Sequence, residues 1–124
     1  MQIKFEQVNY IYQPGTVNAC QALQEIGLGV NSGELCAVIG HGGSGKSTLA
    51  LLMAGLYQPT AGQVLVGGRA QSGNSAFRQV ALVFQYPEQQ LFGESVFEEV
   101  AFGARNYGTP ADYLNTKVRQ ALVQ

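Results

Sequence analysis

Apolar and polar positions alternate through residues 3–8, where Ile3, Phe5 and Val8 give the pattern of a half-buried strand. Pro14-Gly15 marks a turn, and Cys20 to Val30 alternate loosely enough to predict a second strand. After the turn Asn31-Ser32-Gly33, the run Leu35 to Ile39 is continuously apolar and bounded by turn signals. That pattern predicts a strand buried on both faces. A glycine-rich stretch follows, then Ser47 to Gly55 with Leu49, Leu52 and Met53 at helical spacing and Gly55 as the stop. Pro59 to Gly62 reads as a turn, Gln63 to Val66 as a short strand ending at Gly67-Gly68, and Val80 to Phe84 as a further apolar strand. Ser95-x-x-Glu98 forms a capping box that opens a helix through about Ala104. Thr109, as N-cap, and Pro110, in the first turn, open a last helix with no stop signal before the chain ends. The absence of a closing element predicts that the chain is cut from something longer. No internal repeat, low-complexity tract or linker interrupts these patterns.

Composition narrows the picture. The 124 residues suffice for one ordinary domain. Apolar residues make up 46% and charged residues only 12%, about half the usual charged share. The net charge of -1 and the lack of any Lys/Arg cluster argue against a nucleic-acid surface. Cys20 and Cys36 lie far apart with no His at metal-ligand spacing, and read as two reduced, partly buried thiols of a cytosolic protein. Met1 to Lys4 lead straight into the first strand pattern, with Glu6 inside it, so no signal peptide is expected. Leu49 to Leu56, the most apolar helical stretch, falls far short of the ~20 residues of a membrane span.

The chemistry concentrates in residues 40–48, Gly-His-Gly-Gly-Ser-Gly-Lys-Ser-Thr, which fit G-x-x-x-x-G-K-[ST] at Gly40, Gly45, Lys46 and Ser47. The motif follows an apolar run and opens a predicted helix, the context it requires. A loop that wraps polyphosphate must bring its backbone close, and Gly40, Gly43 and Gly45 permit that approach. Backbone N–H groups along the loop, through Gly42 and Ser44, then form an anion nest. The helix start adds unpaired N–H groups and its positive dipole end. Lys46 places a point charge near the β- and γ-phosphates, the Ser47 hydroxyl suits Mg²⁺, and Thr48 offers a further donor to phosphate. His41 lies at a position whose side chain faces outward, and its reading as a catalytic base is set aside.

Three segments carry a family resemblance. The loop from Gly40 to Thr48 resembles the Walker A of ATP-binding-cassette (ABC) ATPases. Val83-Phe84-Gln85-Tyr86-Pro87-Glu88-Gln89-Gln90-Leu91-Phe92 looks like the Q-loop region of the energy-coupling-factor (cobalt/vitamin-type) ABC ATPases. Val8-x-Tyr10-x-Tyr12 resembles the A-loop. The resemblance spans essentially the whole chain, in the family's order. It implies an α/β fold: a P-loop NTPase core with an N-terminal antiparallel β element, residues 1–124 forming the N-terminal portion of one nucleotide-binding domain. By the same resemblance ATP and Mg²⁺ are the cofactors, Tyr12 stacks on adenine with Tyr10 as runner-up, and Lys46 and Gln85 serve catalysis. Gln85 joins Ser47 at the Mg²⁺ and reaches the attacking water. Glu88 to Phe92 would form the surface that meets a transmembrane energy-coupling subunit, with Phe92 equally suited to a core. The remaining implied partners are a second ABC ATPase subunit and a separate membrane protein that selects the substrate. The chain would then work in the cytoplasm, peripheral on the inner face of the membrane through those subunits.

Other family elements are absent from this sequence. There is no Leu-Ser-Gly-Gly-Gln signature, no apolar run ending in Asp-Glu for Walker B, no D-loop and no switch His. Gly42 also departs from the side-chain residue more usual at its position. The expectation is a chain truncated before the signature and Walker B, which binds ATP weakly and hydrolyses little alone. A GTPase would show Asn-Lys-x-Asp, and a DNA-repair ATPase of this class would carry a long heptad insertion; neither is present. The alternative reading is a non-enzymatic nucleotide-binding fragment, separated from the first by whether ATP is turned over.

Overall fold

The structure is a computed structural model describing residues 1–71 and 79–123. Its contacts divide into two compact units, Met1–Leu82 and Val83–Gln124. The first holds strands β1 (Ile3–Tyr12), β2 (Cys20–Val30), β3 (Ala61–Val66) and β4 (Arg69–Ala70), and helix α1 (Lys46–Met53). The second holds a 3-10 turn, Pro87–Gln90, and helices α2 (Val96–Asn106) and α3 (Ala111–Val123).

The sheet of the first unit runs β2-β1-β3-β4. All three pairings are antiparallel. Phe5 and Val8 are both buried, at 2% and 0% exposure, although they lie three residues apart and a regular strand would send them to opposite faces. The register shifts between them, and Gln7 takes up the extra residue at φ 48. Asn9 fastens this irregularity from within the sheet, its Oδ1 accepting from the Glu25 N–H at 3.0 Å. The bulged face carries the core: Phe5, Val8, Leu23 and Val64 from the sheet, Leu49 and Leu52 from α1.

Helix α1 stops as expected. Gly55 turns left-handed at φ 71, its N–H donates to Leu52 O at 3.1 Å, and the Leu56 N–H donates to Leu51 O at 3.0 Å. These two bonds close a Schellman end and return the chain toward the sheet. In the second unit the Ser95 hydroxyl accepts from the Glu98 N–H at 3.2 Å, half of the expected capping box. The other half is not made, because the Glu98 carboxylate pairs with Arg105. Instead Glu99 accepts from the N–H groups of Phe92 and Gly93, at 3.0 and 2.6 Å. Ala101 of α2 buries against Leu114 and Val118 of α3. That last helix begins at Ala111, one residue beyond the expected start.

Three expectations are corrected. Leu35 to Ile39 form no strand, and Leu35 and Ile39 are 101% and 92% exposed. Val80 to Phe84 are likewise outside any strand, with Val83 80% exposed. The reason is the same for both. An apolar run extends only where a neighbouring strand takes its N–H and C=O groups and a layer covers each face, and none of the described strands pairs with either run. Every strand pairing among the described residues is antiparallel, as in the N-terminal antiparallel β element expected. Finally, Cys20 and Cys36 are free, as expected, but exposed rather than partly buried.

Candidate nucleotide site

The glycine-rich loop ends on α1. Gly45 is the residue before the helix, left-handed at φ 89 and ψ 4, and no side chain caps the helix start. The N–H groups of the first turn therefore lack intrahelical partners, as at any helix start, and nothing from a side chain fills that role. Gly45 also lies hard against β2: a Cβ there would meet Ala22 O at 2.7 Å and Leu23 Cδ2 at 2.9 Å. Contact with the sheet edge fixes where the helix begins, and thereby where its N–H groups point.

Lys46 folds its side chain back over the loop. Its ammonium donates to Gly40 O and His41 O at 2.7 Å each, and reaches Ser44 Oγ at 3.4 Å. The cation is thus held by the carbonyls of its own loop. His41 is exposed, and its Nδ1 lies 2.6 Å from Gly42 O. The Ser47 hydroxyl is exposed at the first turn. Thr48 is different: it is 5% exposed, and its Oγ1 lies 2.9 Å from the Tyr12 hydroxyl.

Tyr12 ends β1 half-buried rather than freely exposed. Its ring meets Tyr10 edge-on at 4.9 Å and Tyr57 edge-on at 6.0 Å, while Tyr10 and Tyr57 stack in parallel at 5.3 Å. Burial first, then the neighbouring Tyr57 and Tyr12, push the Tyr10 phenol above its ordinary value. Tyr57 escapes a sequence reading because its contact depends on the Schellman end that swings the chain back after Gly55. A cleft of about 250 Å³ joins the pieces, lined by Tyr12, Ala22, Ser44, Lys46, Ser47 and Thr48 among others. A larger hollow of about 560 Å³ lies at the β1 bulge between Glu6, Glu25 and Gln63, with no cation or helix start to bind an anion. Gln85 belongs to the second unit, exposed, its Nε2 donating to the Tyr86 hydroxyl at 3.4 Å.

The cleft fits a phosphate chain: helix-start N–H groups, one ammonium and hydroxyls, with no carboxylate on its walls. For Mg²⁺ the fit is partial by design of the ion, which keeps several waters and takes other ligands from phosphate. Ser47 places one hydroxyl on the cleft wall, and no cluster of three or more His, Cys, Asp or Glu side chains occurs among the described residues.

The ABC transporter family profile matches residues 23–123. The chain belongs to the ABC transporter family. This ABC chain is 49% identical, over 98% of its own length and 44% of the relative's, to the energy-coupling factor transporter ATP-binding protein EcfA2 of Symbiobacterium thermophilum. It is also 49% identical, over 89% of its length and 41% of the relative's, to the protein of the same name from Lactococcus lactis subsp. cremoris. Among solved structures it resembles cbiO1 of Clostridium perfringens, described as part of the ABC transporter complex cbiONQ, with a TM-score of 0.76 and 34% identity over 97% of this chain and 48% of that one. A dimeric ATP-binding cassette in a post-hydrolysis state, with ADP and Pi, shares the fold at a TM-score of 0.78 and 21% identity, over 97% of this chain and 55% of that one. The ABC chain spans less than half the length of the curated relatives it matches. No helix among its described residues is long and apolar enough to cross a membrane.

Proposed function

We propose that residues 1–124 are the N-terminal portion of one nucleotide-binding domain, and that they hold the phosphates of ATP for an energy-coupling-factor transporter that takes up a small molecule such as a vitamin or metal ion. The observation that carries this reading is the uncapped start of α1 in a cleft that Lys46 also lines and that holds no carboxylate. The backbone from Gly40 through Gly42, Gly43, Ser44 and Gly45 would wrap the phosphates, with Lys46 exchanging its loop carbonyls for phosphate oxygens. Ser47 would take one position on Mg²⁺ and Gln85 another, the ion supplying charge neutralisation at the transferring phosphate. Tyr12 would lie beside the adenine.

In the whole protein, hydrolysis would follow in a dimer with a second ABC subunit. The segment Gln85 to Phe92 would meet the transmembrane energy-coupling subunit, and a separate membrane protein would choose the substrate. The chain itself would stay on the cytoplasmic face. Exposed Leu91 and Phe92, 66% and 64% exposed, suit a contact surface better than a core.

Thermal unfolding with and without MgATP tests the binding step. A ligand that binds only the folded chain stabilises it by about 2.7 kcal/mol at a hundredfold excess over Kd. The wild type should gain this stabilisation and Lys46→Ala should lose most of it. Equal responses in both would overturn the phosphate cradle.

A further inference from the structure

Two hydroxyls meet at the inner end of the cleft, Tyr12 Oη and Thr48 Oγ1, 2.9 Å apart. Each carries one proton and can also accept. One hydrogen bond between them uses one proton and leaves the other without a role. Thr48 is 5% exposed, so bulk water is a poor outlet for that proton. Both residues line the same cleft as Lys46 and Ser47. An anion seated on the first turn of α1 offers only acceptors, and Thr48 is part of that turn while Tyr12 belongs to β1. Either hydroxyl can be the donor at this distance, and an acceptor-only anion on the turn would favour the arrangement in which Tyr12 donates and Thr48 keeps its proton for the ligand.

We propose that Tyr12 is a positioning residue for the phosphates as well as a neighbour of the base: its hydroxyl donates to Thr48 Oγ1, and Thr48 donates onward to the bound anion. The inference rests on the phosphate-cradle reading above. Each bond in such a chain polarises the next, so the Thr48 hydroxyl becomes a better donor when Tyr12 donates to it. The tyrosine ring is in turn held by Tyr10 and Tyr57. The last residue of a strand and the first turn of a helix, 36 positions apart in sequence, thereby act on one ligand.

The test uses two probes on the full chain: MgATP, and Mg-tripolyphosphate, which has no base. Tyr12→Phe keeps the ring and removes only the hydroxyl. It should weaken both probes by the same factor, on the order of fivefold for one lost hydrogen bond. Thr48→Val should weaken both at least as much, Thr48→Ser should bind as the wild type does, and the Tyr12→Phe/Thr48→Val double variant should be no worse than Thr48→Val. Unchanged tripolyphosphate binding in Tyr12→Phe, or additive losses in the double variant, would overturn the relay. If Tyr12→Phe fails to fold, Thr48→Val against Thr48→Ser still decides, because equal tripolyphosphate binding by those two variants excludes the onward donor. Lys46→Ala separates the two levels: if it binds tripolyphosphate as the wild type does, the cradle itself fails and the relay falls with it.

Discussion

Alanine substitutions at the four loop glycines should have sharply different effects, and the structure fixes their order. At Gly45 two penalties combine. The backbone stands at φ 89, where a Cβ costs about 1–2 kcal/mol, and that Cβ would meet Ala22 O at 2.7 Å and Leu23 Cδ2 at 2.9 Å. The leucine methyl can turn aside, but the carbonyl belongs to β2 and cannot move without the sheet. Overpacking of this kind adds about 1–3 kcal/mol, so Gly45→Ala should cost about 3 kcal/mol. Gly43, at φ 79, faces open space, which leaves only the conformational cost of about 1 kcal/mol, partly offset by a stiffer unfolded chain. Gly40 has no left-handed strain, and its added methyl would meet Ser44 Oγ at 2.7 Å, a side chain that can rotate away. Gly42 has neither problem, so Gly42→Ala should match or slightly exceed wild-type stability. Thermal unfolding followed by circular dichroism reads the series. At roughly 4 °C per kcal/mol, Gly45→Ala should melt roughly 10 °C below wild type and Gly43→Ala a few degrees below. A Gly45→Ala variant within about 1 °C of wild type, or four equal shifts, would refute the argument that contact with β2 sets the helix start.

Leu52 is fully buried between α1 and the sheet, and Leu52→Ala should destabilise the first unit by about 3 kcal/mol in urea unfolding, with a smaller loss for Leu56→Ala just beyond the helix, where the side chain is 39% exposed. Glu98 gives a pH dependence: its hydrogen bond and charge pairing with Arg105 hold the carboxyl below the usual 4.5. A carboxyl lowered by folding stabilises above its unfolded value and loses that contribution as pH falls through the folded one, so the helicity of α2 and α3 should drop on acidification below 4.5, and less steeply in Glu98→Gln. Tyrosine is the fluorophore of this chain, which has six and no tryptophan; Tyr12 lines the cleft and its ring touches those of Tyr10 and Tyr57. MgATP should therefore change the intrinsic emission, and Tyr12→Phe or Tyr57→Phe should remove part of the change; an unaltered response in both would place the ligand elsewhere.

What the sequence disclosed about the fold was the part decided by near neighbours. The two long strands, α1 with its glycine stop, and the Ser95 cap each follow from a few residues within reach of one another. The β1 bulge was not legible, because alternation through Ile3 and Phe5 gives no warning that Gln7 will turn left-handed and reset the parity before Val8. The exposed cysteines and the partner of Tyr57 were hidden for a related reason: burial is a property of what arrives from elsewhere in the chain.

The same division explains the site. A phosphate-binding loop is legible because its requirements are local: close backbone, a helix start and one cation within nine residues, Gly40 to Thr48. The segment just before it failed on the opposite ground. Leu35 to Ile39 are apolar enough for the centre of a sheet, yet a central strand is made by its neighbours, and the antiparallel sheet offers none. The loop nonetheless keeps its shape here, anchored by Gly45 against Ala22 and Leu23 and by Thr48 against Tyr12. Both anchors come from β1 and β2. The antiparallel element that carries the aromatic residues thus also holds the start of α1, which is why Tyr12 can be tested as part of the phosphate site and not only beside the base.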